Sequence, residues 1–214
     1  MALLGQFIDG RHEPGSGAHV EVRNPADGSV VATLGEATVA DVDAAVAAAR
    51  RAYPGWSRAT PGERSAALLA LADRMEARAE EYAQVETAQS GKPIKLTTEF
   101  DVPGSIDNVR FFAGAARVLN GMAQAEYDGT HTSSIRREPI GVVGSIAPWN
   151  YPLQMAMWKV LPAVAAGNTI VLKPAEITPL TSLMVAEDAA AAGIPAGVIN
   201  VLTGPGRSVG EALI

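Results

Sequence analysis

Asn150 stands just past the apolar run IGVVGSIAP, in the stretch APWNYP, where a buried strand would run out. Its side-chain amide has two readings. It can cap the helix that begins at Pro152, as Asn commonly does at a helix start. Or it can donate to an oxygen that gains negative charge during a reaction, a contact worth about 3 kcal/mol of barrier. Two more polar clusters sit at comparable places. In LKPAE, Pro174 keeps Lys173 extended, so Lys173 and Glu176 leave one short loop. An ammonium and a carboxylate placed this way can hold a ribose diol, the carboxylate favouring NAD over NADP; they can equally form a local ion pair. In TGPGRSVG, Gly204, Gly206 and Gly210 follow a strand and open a helix. Glycine there lets a phosphate reach the backbone, or serves a turn and a close helix–strand crossing. The spacing GxGxxxG is one residue longer than the usual dinucleotide fingerprint.

Such clusters need a frame that brings them together. From Ile140 the chain alternates strand and helix: IGVVGSIAP, PLQMAMWKVLPAVAAG, NTIVLKP, TPLTSLMVAEDAAAAG, GVINVLTG and RSVGEALI. The first strand is a continuous apolar run, as for a strand buried on both faces. The second helix has Thr178 as its N-cap, Pro179 at N1 and Gly193 as its stop. This βαβαβα order predicts an α/β fold with a Rossmann-like parallel sheet and right-handed crossovers. In open parallel sheets ligands sit outside the carboxyl ends of the strands, and all three clusters fall on that edge.

Upstream, residues 5–37 read as short strands, with an Asp-Gly turn after QFI. A helix over 38–53 puts Val39, Val42, Val46, Ala49 and Tyr53 on one face, with Thr38 as N-cap. A second runs from Thr60 through Ala83, opened by Pro61 and a Thr60–Glu63 capping box. Its apolar stripe is Leu68, Leu71, Met75 and Tyr82, and its Arg/Glu face belongs in water. A third covers about 97–120, bent near Pro103 and ended by Asn120 or Gly121. AEYDGTHTSSIRREPIG then reads as an exposed hairpin, polar on both faces, which suits a sheet edge or a subunit interface. On the helix after Asn150, Met155 and Trp158 lie one turn apart and fit a core as well as a pocket wall.

Composition narrows the classes. The chain has 214 residues, 48% hydrophobic and 19% charged, a globular mix. A net charge of −6 argues against a nucleic-acid partner. Three scattered histidines and no cysteine leave no His/Cys metal site. No apolar run is long enough to span a membrane, and Asp9 arrives before a leader's apolar segment could form. These features point to a soluble, cytoplasmic protein.

Taken together, APWNYPLQMAMWK, GNTIVLKPAEITPLT and GVINVLTGPGRSVG, in that order and at those spacings, resemble the aldehyde dehydrogenase superfamily. The resemblance runs from FIDG and VRNPADGSVV onward over nearly the whole chain. RFFAGAARVLNG, GTHTSSIRREPIGVVGSIAPWNYPLQM and PAEITPLT look most like the γ-aminobutyraldehyde (4-aminobutanal) dehydrogenase branch, with betaine-aldehyde dehydrogenases as neighbours. The resemblance implies NAD as cofactor and an aldehyde as substrate. It makes Asn150 the oxyanion-stabilising amide, and Lys173 and Glu176 the holders of the adenosine ribose. Pro148 and Trp149 become a wall of the cofactor groove, and Gly206 and Gly210 lie beside the adenine and pyrophosphate. Tyr151, Met155 and Trp158 line the substrate tunnel. Asp101 and Asp107, with Trp158, are by position candidates for an ammonium recess; two solvated carboxylates near a helix start is the other reading. Gly129–Arg137 matches an oligomerisation arm, which implies a homodimer or homotetramer at full length. The implied layout is an N-terminal part of the NAD-binding domain over 1–120, the oligomerisation hairpin over 121–139 and the Rossmann-like core over 140–214.

The implied mechanism is covalent. A Cys thiolate attacks the aldehyde, hydride passes to NAD, and a Glu-activated water hydrolyses the thioester. In the family that Cys and Glu belong to segments beyond the third helix of the sheet, and this chain has no Cys. The expectation is therefore an N-terminal piece or truncated product, with the catalytic domain absent and no activity by itself. The alternative is a non-catalytic nucleotide-binding or assembly fragment. Either way, an open sheet edge after the third strand should make the isolated chain aggregate or melt early.

Overall fold

Two hairpins open the chain in the computed structural model, which describes residues 5–126 and 128–214; residues 1–4 and Tyr127 of the expected hairpin lie outside it. Strands β1 (Gln6–Ile8) and β2 (Arg11–Glu13) are joined by Asp9 and Gly10, at φ 53° and 80°. Two consecutive positive φ values are what a two-residue hairpin turn of matching twist demands. Strands β3 (His19–Arg23) and β4 (Val30–Gly35) form the second hairpin.

Helix α1 (Val39–Arg58) starts at Thr38 as expected, with a Thr38–Asp41 capping box. It does not stop before Pro54 but carries that proline inside and adds another turn. The reason is tertiary: Trp56 is buried and its indole N–H donates to the Val164 carbonyl at 2.9 Å. Val39, placed on the apolar face by its spacing, is 62% exposed at the first position of the helix.

Helix α2 (Pro61–Ala77) is opened by the Thr60–Glu63 box. Glu63 N–H donates to the Thr60 hydroxyl oxygen at 3.2 Å, and Thr60 N–H to the Glu63 carboxylate at 2.7 Å. Thr60→Ala should cost about 1 kcal/mol, read as a lower urea midpoint at unchanged slope. Leu68, Leu71 and Met75 are fully buried. The helix does not reach Ala83. Arg78 (φ −110°, ψ 15°) breaks it, and α3 (Ala79–Ser90) runs on from there until Gly91, at φ 74°. The break aims Arg78 at a buried carboxylate, Asp188. After α4 (Ile94–Leu96), a π turn over Thr97–Asp101 leads into α5 (Val102–Ala115). Pro103 has no N–H to give to the regular ladder, and the widened turn sits just ahead of it. α5 ends five residues before Asn120. The hairpin β5 (Met122–Glu126) and β6 (Thr132–Ile135) follows, almost wholly exposed.

The alternating segment forms as expected: β7 (Val142–Ile146), α6 (Pro152–Ala165), β8 (Thr169–Lys173), α7 (Leu180–Ala191), β9 (Ile199–Val201), a π turn over Gly206–Gly210 and α8 (Glu211–Leu213). β7, β8 and β9 are parallel, with Ile146 opposite Lys173 and Leu172 opposite Val201. The sheet order is β2-β1-β9-β8-β7, with β1 antiparallel to β9. The sheet is thus mixed, and β9 is covered. The edge of the parallel part falls on β7, whose residues are half-buried or exposed rather than buried on both faces; β8, between β9 and β7, is buried throughout. α7 also departs from expectation. Pro179, not Thr178, occupies the cap position, and the buried Thr178 hydroxyl has no partner among the described residues. The Leu180 N–H is accepted instead by the Gln89 side chain at 2.8 Å. Among the described residues no helix is long and apolar enough to cross a membrane.

Candidate functional site

The β7–β8 ladder runs one residue past β7, where Ala147 N–H donates to the Lys173 carbonyl at 2.9 Å. Pro148 cannot continue it. Pro148, Trp149, Asn150 and Tyr151 then form an exposed turn into α6. Tyr151, not Asn150, occupies the cap position, and it makes no side-chain capping bond. The first turn of α6 is capped from outside: the Leu153 N–H donates to the carboxylate of Glu86, on α3, at 3.0 Å. The capping reading of Asn150 is therefore wrong. Its amide enters no hydrogen bond among the described residues and is exposed.

Lys173 ends β8 and is 3% exposed. Its ammonium donates to the Pro174 carbonyl at 2.9 Å, leaving further N–H groups for a ligand. Burial pushes it below the ordinary lysine value, and the nearby Glu176 carboxylate pulls it back up. Glu176 is exposed in the next loop. Gly210 closes the rim. A Cβ on it would lie 3.7 Å from Ile146 and 3.8 Å from Lys173, so the ends of β7 and β8 and the final π turn meet there. Gly206, at the head of that turn, has open space where a side chain would be.

Tyr151, Met155 and Trp158, the predicted substrate-tunnel residues, follow one another at the cap and on the first two turns of α6. Tyr151 lines a cleft of about 500 Å³ with Lys92, Leu96, Phe100, Asp101 and Gln154. Met155 is half-buried and packs on the core, while Trp158 is 51% exposed; neither lines that cleft. The Lys92 ammonium lies 3.5 Å from the Tyr151 ring centroid and is paired with Asp101. Asp101 is thus neither solvated nor free for a foreign ammonium, whereas Asp107 is exposed. A second cavity, about 770 Å³, lies away from the rim, at the foot of the β5–β6 hairpin.

Sequence reading missed three residues that seat the rim. Glu86 and Gln89 cap α6 and α7. Arg64, assigned to a solvated face, is 7% exposed and donates to the Ala165 carbonyl at 2.9 Å, at the C-terminus of α6. α6 therefore carries an anion at its N-terminus and a cation at its C-terminus, as its dipole favours. The available signal was positional: Glu86 and Gln89 share a helix face with buried Tyr82 and Ala83.

Comparisons with known proteins bear on the family and the fold. Residues 12–214 match the aldehyde dehydrogenase family. The DhaS protein of Bacillus subtilis (strain 168) is 49% identical over 210 residues, covering 97% of this chain and 42% of its own length. Human 2-aminomuconic semialdehyde dehydrogenase is 40% identical, over 100% of this chain and 44% of its own length. The crystal structure of PnpE in complex with nicotinamide adenine dinucleotide superposes with a TM-score of 0.95 at 44% identity, covering 99% of this chain and 44% of PnpE. The chain thus spans less than half the length of these relatives. Within that span, sequence and architecture agree that it belongs to the aldehyde dehydrogenase family.

Proposed function

We propose that this chain supplies the cofactor-binding rim and the oxyanion donor of an NAD-dependent aldehyde dehydrogenase. The observation that carries the proposal is the unpartnered Asn150 amide on the same strand edge as Lys173, Glu176 and the Gly206–Gly210 turn. The rim suits a dinucleotide. Lys173 offers spare ammonium donors, Glu176 an exposed carboxylate, and Gly206 an open backbone for close approach of a phosphate. NAD, when bound, supplies the hydride acceptor. Asn150 donates to the aldehyde oxygen as it becomes negative. Trp149 and Pro148 wall the groove, and Tyr151, pressed against Lys92, borders the aldehyde's approach. The β5–β6 hairpin, exposed along both strands, serves as an oligomerisation arm.

The substrate is proposed as an aldehyde. An aminoaldehyde such as 4-aminobutanal is the finer candidate that the sequence resemblance supplies, but Lys92 already neutralises Asp101, so its ammonium needs another acceptor.

Equilibrium dialysis with labelled NAD tests the rim directly. The chain should retain NAD, Lys173→Ala should weaken retention about tenfold, and Glu176→Gln should narrow the preference over NADP. Binding should also fall on the alkaline side with a midpoint below 10.5, the ordinary lysine value, because deprotonation removes the ammonium. No retention at millimolar NAD would reject the reading.

A further inference from the structure

The turn that holds Asn150 is seated by a carboxylate lying deep in the molecule. Glu86 is fully buried. It accepts three bonds, from the Leu153 N–H at 3.0 Å, the Thr181 hydroxyl at 2.8 Å and the Gln89 amide at 2.9 Å. Gln89, one helical turn on, also donates to the Thr181 oxygen at 2.8 Å and accepts the Leu180 N–H at 2.8 Å. Leu153 is three residues past Asn150, and Leu180 four past Glu176. One face of α3 therefore terminates both crossover helices, each just after a rim cluster.

A buried carboxylate is expensive unless its oxygens are saturated, and an apolar residue of similar volume would often serve stability as well. Its position at the start of α6 does what an apolar residue could not. It satisfies the N–H that Asn150 would otherwise cap, and it fixes how far the first turn can wind back toward β7. We propose that Glu86 is a positioning residue for Asn150: by capping α6 from α3, it holds the amide at the rim and frees it from structural duty. This rests on the reading of Asn150 as the oxyanion donor. Burial holds the Glu86 carboxyl above its ordinary value, against the bonds from Leu153, Thr181 and Gln89 and the charge of Lys92. Lys92 is itself paired with Asp101, and the groups facing Glu86 from α6 and α7, Leu153 and Thr181, are uncharged.

Heteronuclear NMR of the 214-residue chain tests the link. The Glu86 carboxyl carbon should titrate with a midpoint above 4.5. The Leu153 amide and the Asn150 side-chain amide should move with that same midpoint, and Glu86→Gln should abolish the shared step at both. An Asn150 amide that ignores the titration, or keeps it in Glu86→Gln, overturns the proposal. If Glu86→Gln does not fold, the wild-type titration alone decides. The catalytic counterpart uses residues 1–214 joined to the remaining length of DhaS. There Glu86→Met, which offers the Leu153 N–H no oxygen acceptor, should lower kcat about tenfold or more, with aldehyde KM and NAD affinity unchanged. An unchanged kcat also overturns the proposal. NAD dialysis serves as the separate control: if it fails while the coupled titration holds, the reading of the rim falls and the Glu86–Asn150 link stands.

Discussion

Replacing Asp188 by alanine should remove about 3 kcal/mol of stability, a large part of the margin of a domain this size. Asp188 is fully buried on α7. It accepts from the Tyr82 hydroxyl at 2.7 Å, from Arg78 at 2.9 Å and from Arg74 at 3.3 Å. These bonds tie α2 and α3 to α7 at the point where the long helix breaks. Without the carboxylate, the Tyr82 hydroxyl is stranded in the core, which alone costs about 1–3 kcal/mol. The arginines suffer less, because their side chains are 44% and 25% exposed and can turn to water. The estimate therefore sits at the low end of what breaking a buried pair costs. Urea unfolding measures it, with Arg74→Ala as the control, expected below about 1 kcal/mol. A loss under 1 kcal/mol for Asp188→Ala would show that the network is peripheral.

The second large effect concerns chemistry. In the same fusion of residues 1–214 to the remainder of DhaS, Asn150→Ala should lower kcat about 10²- to 10³-fold, with NAD affinity preserved. Stability should hardly change, because the α6 N-terminus is capped by Glu86 and not by Asn150. That pairing of outcomes separates the two roles an asparagine can play here. A helix cap would lose stability on substitution; an oxyanion donor loses rate. A rate loss below tenfold, or a clear fall in melting temperature, would return Asn150 to a structural part.

Local rules carried much of the fold. The strand–helix alternation after Ile140, the Thr60–Glu63 box and the Asp9–Gly10 turn depend on neighbours a few residues apart, and each formed as its residues suggest. What local rules could not supply was any contact closed over a long separation. Whether Asn150 caps a helix is decided by Glu86, which acts on Leu153 from 67 residues away. Pro54 fails to end α1 because Trp56 is anchored to a carbonyl 108 residues further on. Arg64 and Asp101 looked solvated because charge usually is. Their burial follows from partners that no periodicity reveals: helix-end carbonyls for Arg64 and Lys92 for Asp101. The shared edge was legible, since topology alone gathers the three clusters along it. Its separation into a rim and a cleft was not, because that depends on how α3 and the π turn before α5 lean against α6.

The antiparallel pairing of β1 with β9 also bears on how the molecule comes into being. Phe7 sits opposite Val201, and the Asp9 N–H donates to the Asn200 side chain across 191 residues. On a ribosome adding about 5–20 residues per second, the first strand emerges some 10–40 s before its partner exists. Meanwhile Phe7 and Ile8, both buried in the finished fold, have no native seat. Closing so distant a pairing is slow, so Phe7 and Ile8 stay without native cover longer than residues whose partners lie nearby in the sequence.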